Sequence, residues 1–259
     1  VTHTIHRGRT VALAVLLAVA MLLMAECNKD DSGPGSYNPS GGDTFWHPRI
    51  KREAFAAAPV PPRILILGDS IMASTELPLP ADHFDRRLTT ALSIGPARLT
   101  NGAVSGLTLV GARPNLVDRA PALLAALSPG DVVIIGIGMN DACTGSPLTA
   151  FESAHLALVA QATALGLHVL VGLVTPVMPA LSVCEAPRAA INAWESATYP
   201  GDTIDFPAVL AAPGQPWILP RKATEDGKHP DEGGTAEMAD VTAAAVRAHA
   251  WWPVTHVLG

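Results

Sequence analysis

The sequence predicts an α/β protein: a parallel β-sheet covered on both faces by helices, making a three-layer α/β/α sandwich. Three observations predict it. Short aliphatic runs such as Ile64-Leu65-Ile66-Leu67 and Val132-Val133-Ile134-Ile135 show no polar alternation, the pattern of strands buried on both faces. Longer segments separate them, with apolar residues spaced for one helix face, as at Phe84, Leu88 and Leu92. The two patterns alternate along the chain, and right-handed crossovers then place helices on both sides of one sheet.

Along the chain, residues 63–67 form the first strand, bounded by Pro62 and Gly68. Residues 84–92 are helical, and 97–100 make a short second strand. A helix over 114–127 carries Leu116, Leu123, Leu124 and Leu127 and stops before Pro129-Gly130. Residues 131–137 are the clearest central strand. A helix over 149–165 is closed by Gly166. Residues 167–174 are a further buried strand, 186–197 a helix, and 203–206 a weak strand. An amphipathic helix over 235–249 ends the pattern. No internal repeat is present.

The 259 residues suffice for one sizeable α/β domain plus a leader. With 49% hydrophobic and 15% charged residues and a mean hydropathy of +0.29, the chain can bury a substantial core. The net charge is −6 and no lysine- or arginine-rich run occurs, which argues against a nucleic-acid partner.

The beginning of the chain differs from the rest. His3, His6, Arg7 and Arg9 are followed by 15 apolar residues, 11–25, short for a membrane span and the right length for the apolar part of a signal peptide. Residues 1–27 therefore read as a signal peptide or a lipoprotein-type leader, with an uncleaved anchor as the alternative. Cys27, just after Leu22-Leu23-Met24-Ala25-Glu26, resembles the acceptor of a bacterial lipoprotein signal, although Glu26 stands where a small residue is expected. Cleavage near Ala25 competes with lipidation. Residues 28–62, rich in Gly, Ser, Pro and Asp, read as a flexible linker, and its Phe45 and Trp46 could dock onto the domain. The expected location is outside a bacterial cell, either secreted or held at the envelope by an N-terminal membrane tether.

Two short segments carry the chemistry. Gly68-Asp69-Ser70 places a serine just past the end of the first strand, where open α/β sheets put ligand sites. A serine hydroxyl becomes a useful nucleophile only when a base takes its proton. Among nine histidines His229 stands out, because Asp226 lies three residues before it. That spacing lets the carboxylate reach Nδ1 and turn Nε2 toward Ser70, completing a Ser-His-Asp arrangement. Taken singly, Ser70 also reads as a helix cap and Asp226-Gly227-Lys228-His229-Pro230 as a polar turn. Acyl transfer further requires donors for an oxyanion. Two segments at strand ends could provide them, Asn101 to Thr108 and Gly136-Ile137-Gly138-Met139-Asn140-Asp141. The latter lacks the third glycine of a dinucleotide loop.

Together, Gly68-Asp69-Ser70, the segment from Asn101 to Gly106, Gly138-Met139-Asn140-Asp141 and Asp226-Gly227-Lys228-His229 resemble the four sequence blocks of the SGNH hydrolases, the GDSL lipase/esterase family. The resemblance covers roughly residues 63–249. It implies a flavodoxin-like sandwich and a serine hydrolase cleaving carboxylic esters, with no cofactor and no metal. It assigns Ser70 as nucleophile, His229 as base and Asp226 as its partner. The oxyanion hole it implies consists of the Ser70 and Gly106 N–H groups and the Asn140 side chain. Leu107 departs from the polar or charged residue many relatives carry there. An expected partner is an ester substrate: a small acyl ester, a lipid or an acetylated glycan. Two other functions stay open: an O-acyltransferase or deacetylase acting on cell-envelope polysaccharide, and a non-catalytic surface binding module.

Of the three cysteines, Cys143 and Cys184 both follow strand ends on the expected active-site side. In an exported protein they are the expected disulfide, tethering two site loops, with two free buried thiols as the alternative. His155 and His168 lack a partner at metal-ligand spacing, and His83, His249 and His256 read as surface residues. Trp194 and Trp217 are candidates for lining a pocket, or else packing residues.

Overall fold

The computed structural model describes residues 60–111 and 114–253. The leader, Cys27, the linker through residue 59 with Phe45 and Trp46, and His256 lie outside them. No helix among the described residues is long and apolar enough to cross a membrane.

Five strands form one all-parallel sheet: β1 (Ile64–Gly68), β2 (Leu99–Asn101), β3 (Val132–Gly136), β4 (His168–Gly172) and β5 (Thr203–Ile204). Their order across the sheet is β2-β1-β3-β4-β5. The central pair is in register over its whole length, Ile64 opposite Val132 and Gly68 opposite Gly136. Every residue of β1 is buried, as the unbroken aliphatic run requires. At the base, Asp131 accepts from the Arg63 backbone N–H at 2.9 Å and from Arg63 Nε at 2.9 Å, which ties the entrances of β1 and β3 together. Burial opposes ionisation of Asp131, but its bonds to the Ser128 N–H and to Arg63 prevail and hold its pKa below the usual value.

The helices are α1 (Ser70–Ala73), α2 (Phe84–Leu92), α3 (Leu116–Leu124), α4 (Met139–Thr144), α5 (Leu148–Ala164), α6 (Ser182–Thr198), α7 (Phe206–Leu210) and α8 (Glu232–Ala248). Helix α8 packs against α2 and α7, while α5 packs against α3 and α6. These two groups are the outer layers of an α/β/α sandwich. On one side Phe84 of α2 meets Phe206 of α7 edge to face, with ring centroids 6.3 Å apart.

Several boundaries differ from expectation for local reasons. Helix α3 starts at Leu116 because the Asn115 side chain caps it, accepting from Asp118 N at 3.1 Å. Helix α6 begins a turn before the expected 186, so Pro187 lies inside it and Cys184 lies in its first turn. Phe206, expected in a strand, begins α7, because the Asp205 side chain accepts from Ala208 N at 3.0 Å and Pro207 stands in the first turn. Trp194 is part-buried against the core. It packs edge-on against Phe151 and against the buried ring of His155, whose Nδ1 is 2.9 Å from the Tyr199 hydroxyl. Burial pushes the His155 pKa down to about 4, and it pushes up that of the equally buried Glu195 carboxyl, whose Oε1 lies 3.6 Å from His155 Nε2.

Close packing at the strand ends positions the serine. A Cβ on Gly68 would come within 2.3 Å of the Gly136 carbonyl oxygen and 2.6 Å of Met72 Cγ. Only glycine lets α1 turn back onto the ends of β1 and β3, bringing Ser70 to the top of the sheet.

Candidate active site

Ser70 is the first residue of α1, a single turn held at both ends. Asp69 caps it, Oδ1 accepting from Ile71 N at 3.0 Å, and Ser74 N donates to the Ser70 carbonyl at 2.8 Å. Ser70 is only 2% exposed. Its Oγ lies 2.7 Å from His229 Nε2. On the other side of that ring, Nδ1 meets Asp226 Oδ2. The structure thus brings together three side chains that the sequence separates by as many as 159 positions.

The turn carrying Asp226 and His229 is built by its own backbone. Thr224 N donates to the His229 carbonyl at 2.8 Å, and Asp231 N to the Lys222 carbonyl at 2.9 Å. Inside the turn Asp226 Oδ1 accepts three bonds: from the N–H groups of Lys228 (2.8 Å) and His229 (3.0 Å), and from Thr224 Oγ1 (2.8 Å). Oδ2 is left for the imidazole. Partial burial works against ionisation, yet these donors outweigh it and hold the Asp226 carboxyl well below the usual carboxylate range. An ionised Asp226 only accepts, so His229 carries its proton on Nδ1 and leaves the Nε2 lone pair facing Ser70. A hydroxyl so placed can give up its proton as it attacks an electrophile.

Asn140 lies in the first turn of α4, beyond β3, and is 9% exposed. Its Nδ2 donates to the Leu107 carbonyl at 2.9 Å. Next to it Asp141, almost fully buried, accepts from Leu109 N at 2.8 Å and Val110 N at 3.1 Å. Asp141 therefore pins the loop that contains Gly106 to the helix that contains Asn140. Gly106 has φ +77°, a left-handed conformation that glycine adopts without strain. Asn101 secures the start of that loop, with Nδ2 on the Met72 carbonyl at 3.0 Å and Oδ1 on Ala103 N at 3.0 Å. Leu107, whose apolar side chain departs from many relatives, is buried and enters the polar network through its carbonyl.

Cys143 and Cys184 form a disulfide with a Cα–Cα distance of 4.4 Å. It joins α4 to the first turn of α6 rather than two loops, because α6 begins earlier than its sequence pattern indicates. The loop after β4 is held from the same helix: the Val174 carbonyl accepts from Arg188 Nη1 at 3.0 Å and Asn192 Nδ2 at 2.9 Å. Replacing both cysteines by alanine is expected to cost about 3–4 kcal/mol, since the bridge closes a 41-residue separation. Thermal melting of the double variant, beside the reduced wild type, checks this; an unchanged melting temperature would contradict it.

The sequence pattern of the GDSL-like lipase/acylhydrolase family matches residues 66–237, from within β1 into α8. The chain belongs to this family. Ester substrates fit it. No curated protein sequence matches the chain. Among solved structures, the chain is similar to a member of the lipolytic protein G-D-S-L family from Veillonella parvula, at 19% identity and a TM-score of 0.58, covering 70% of this chain and 96% of that one. It is also similar to the psychrotrophic esterase EstA from Pseudoalteromonas, at 20% identity and a TM-score of 0.55, covering 72% and 97%. The aryl esterase of M. smegmatis is similar at 19% identity and a TM-score of 0.56, covering 72% and 99%. At these identities the likeness establishes the shared fold.

Sequence reasoning passed over several residues that hold this GDSL-family site together. Thr224, Lys228, Arg188 and Asn192 had no visible partner along the chain. Asp141 belonged to a recognised block, yet its bonds to Leu109 and Val110 cross from helix α4 to the loop after β2. Among the described residues no cluster of His, Cys, Asp and Glu suits a metal ion.

Proposed function

We propose that this GDSL-family protein is an exported serine esterase that cleaves carboxylic esters with Ser70 as nucleophile, His229 as general base and Asp226 as the group that orients and supports the imidazole. The observation that carries this reading is the 2.7 Å contact of Ser70 Oγ with His229 Nε2, on a ring whose other nitrogen faces an ionised carboxylate.

In the first half-reaction Ser70 Oγ attacks the ester carbonyl as its proton passes to His229 Nε2. The carbonyl oxygen takes up the negative charge. The N–H groups of Ser70 and Gly106 and the Asn140 side chain are the donors assigned to it. Collapse of the tetrahedral intermediate breaks the bond to the alcohol oxygen, which leaves with the proton from Nε2. Water then gives its proton to the same nitrogen and attacks the acyl-serine. The carboxylic acid departs and Ser70 regains its proton. Ionised Asp226 faces the transient imidazolium throughout.

Export is supported by the apolar stretch at 11–25 and by the Cys143–Cys184 bridge, which would not persist in a reducing cytosol. The mass of the mature chain separates lipidation at Cys27 from plain cleavage near Ala25.

Purified protein is expected to hydrolyse p-nitrophenyl acetate or butyrate, and Ser70→Ala to abolish that hydrolysis; retained turnover in the variant would overturn the assignment. Asn140→Ala is expected to lower kcat by about 100–1,000-fold, the usual cost of losing one oxyanion donor. Steady-state kinetics on the same esters measures it, and a wild-type kcat would remove Asn140 from the hole.

A further inference from the structure

Lys228 takes no part in the proton relay, yet its Nζ lies 2.7 Å from Asn140 Oδ1, across 88 residues of sequence. The contact is part-buried. The other end of the same amide donates from Nδ2 to the Leu107 carbonyl.

An asparagine amide has one acceptor end and one end with two donors, and nothing intrinsic prevents it from flipping. Here both neighbours select the same orientation. An ammonium can only donate, so it accepts Oδ1 as its partner and repels an NH₂ group. A carbonyl can only accept, so it binds Nδ2 and repels Oδ1. One Nδ2 hydrogen goes to Leu107, leaving the second as the amide's remaining donor. The cation also draws electron density toward Oδ1, which strengthens the Nδ2–H groups as donors.

We propose that Lys228 is a positioning residue for the oxyanion hole, its ammonium fixing and polarising the Asn140 amide so that Nδ2 faces the developing negative charge. The inference rests on the reading of Asn140 as an oxyanion donor. The charge is well placed for a second reason. The segment from Thr224 to His229 supplies the base, its carboxylate and this cation together, so closing one turn assembles all three. Besides Asp226, the buried carboxyl of Asp69 also interacts electrostatically with Lys228. Burial raises its pKa to about 6, opposed by the Ile71 N–H and by the Lys228 charge, with Asp141 adding to the rise. Lys228 thus adds a positive charge to a site where much of the surrounding charge is acidic.

The test is a double-mutant cycle on the full chain with p-nitrophenyl acetate. Lys228→Met is expected to lower kcat about tenfold, the scale of one charge-assisted hydrogen bond, with KM within about twofold. Lys228→Gln keeps a donor without the charge and is expected to fall between Lys228→Met and wild type. In an Asn140→Ala background, Lys228→Met is expected to change kcat less than about twofold, because there is no amide left to position. A merely structural lysine would instead give the full additive loss and a lower melting temperature. Wild-type kcat in Lys228→Met, or in Asn140→Ala, overturns the proposal, as does additivity in the double variant. Ser70→Ala run alongside reports separately on the esterase reading: activity lost there with unchanged kcat in Lys228→Met removes only the lysine's role.

Discussion

His229→Ala is expected to reduce kcat for p-nitrophenyl esters by roughly 10⁵–10⁶-fold, and Ser70→Ala by a similar factor. Both variants should fold. The turn that carries His229 is closed by backbone bonds, from Thr224 N to the His229 carbonyl and from the Lys228 and His229 N–H groups to Asp226 Oδ1. None of these uses the imidazole. Likewise α1 is fixed by the Asp69 cap and the Ser74 N–H, not by the Ser70 hydroxyl. Because nucleophile and base act in one step, the double variant should be no slower than either single one. Burst-free steady-state rates with matched melting curves measure this. A His229→Ala enzyme within tenfold of wild type would mean that another group removes the proton.

The second large effect is expected from Asp226→Asn, about 10³–10⁴-fold in kcat with KM little changed. The asparagine Oδ1 can keep the three donors that build the turn, so the local fold survives. Its Nδ2 then stands where Oδ2 faced the ring, and Nδ2 donates. His229 must answer with an unprotonated Nδ1, which moves its proton to Nε2 and leaves no lone pair for Ser70. The Asp226 side chain is 48% exposed, so solvent compensates in part, which places the loss below that of His229→Ala. The carboxyl of Asp226 is held well below its usual range and stays ionised across the interval, about pH 5–8, where an ordinary histidine titrates. Acid-side loss of activity in the wild type should therefore not report on Asp226. A near wild-type kcat in Asp226→Asn would show that the imidazole needs no such partner.

The fold was most legible where burial is most complete. In β1 and β3 every position, or nearly every one, faces apolar neighbours, so the aliphatic runs leave no competing pattern. Helix α2 was legible because its buried residues are Phe84, Leu88 and Leu92, one clean face. The edge strands were harder. All three residues of β2 keep some exposure, and β5 has only two residues. Single-turn α1 and short α7 are below the length at which periodicity can appear, although Asp205 with Pro207 two residues later is a helix-start signal that could have marked α7. In the site, the structure gathers Ser70, His229 and Asp226, whose segments could be recognised by type and spacing. The supports of these residues could not, because their partners are set only by the folded chain. Lys228 reaches Asn140 and Asp141 reaches Leu109 across intervals that carry no local pattern.

The central claim is that the Ser70 hydroxyl is the activated nucleophile. Treatment of the protein with a fluorophosphonate, then peptide mass mapping, tests it most directly. The account predicts one covalent adduct, on Ser70, absent in Ser70→Ala and formed far more slowly in His229→Ala. An adduct on another residue, or labelling of Ser70 at the same rate without His229, would contradict it.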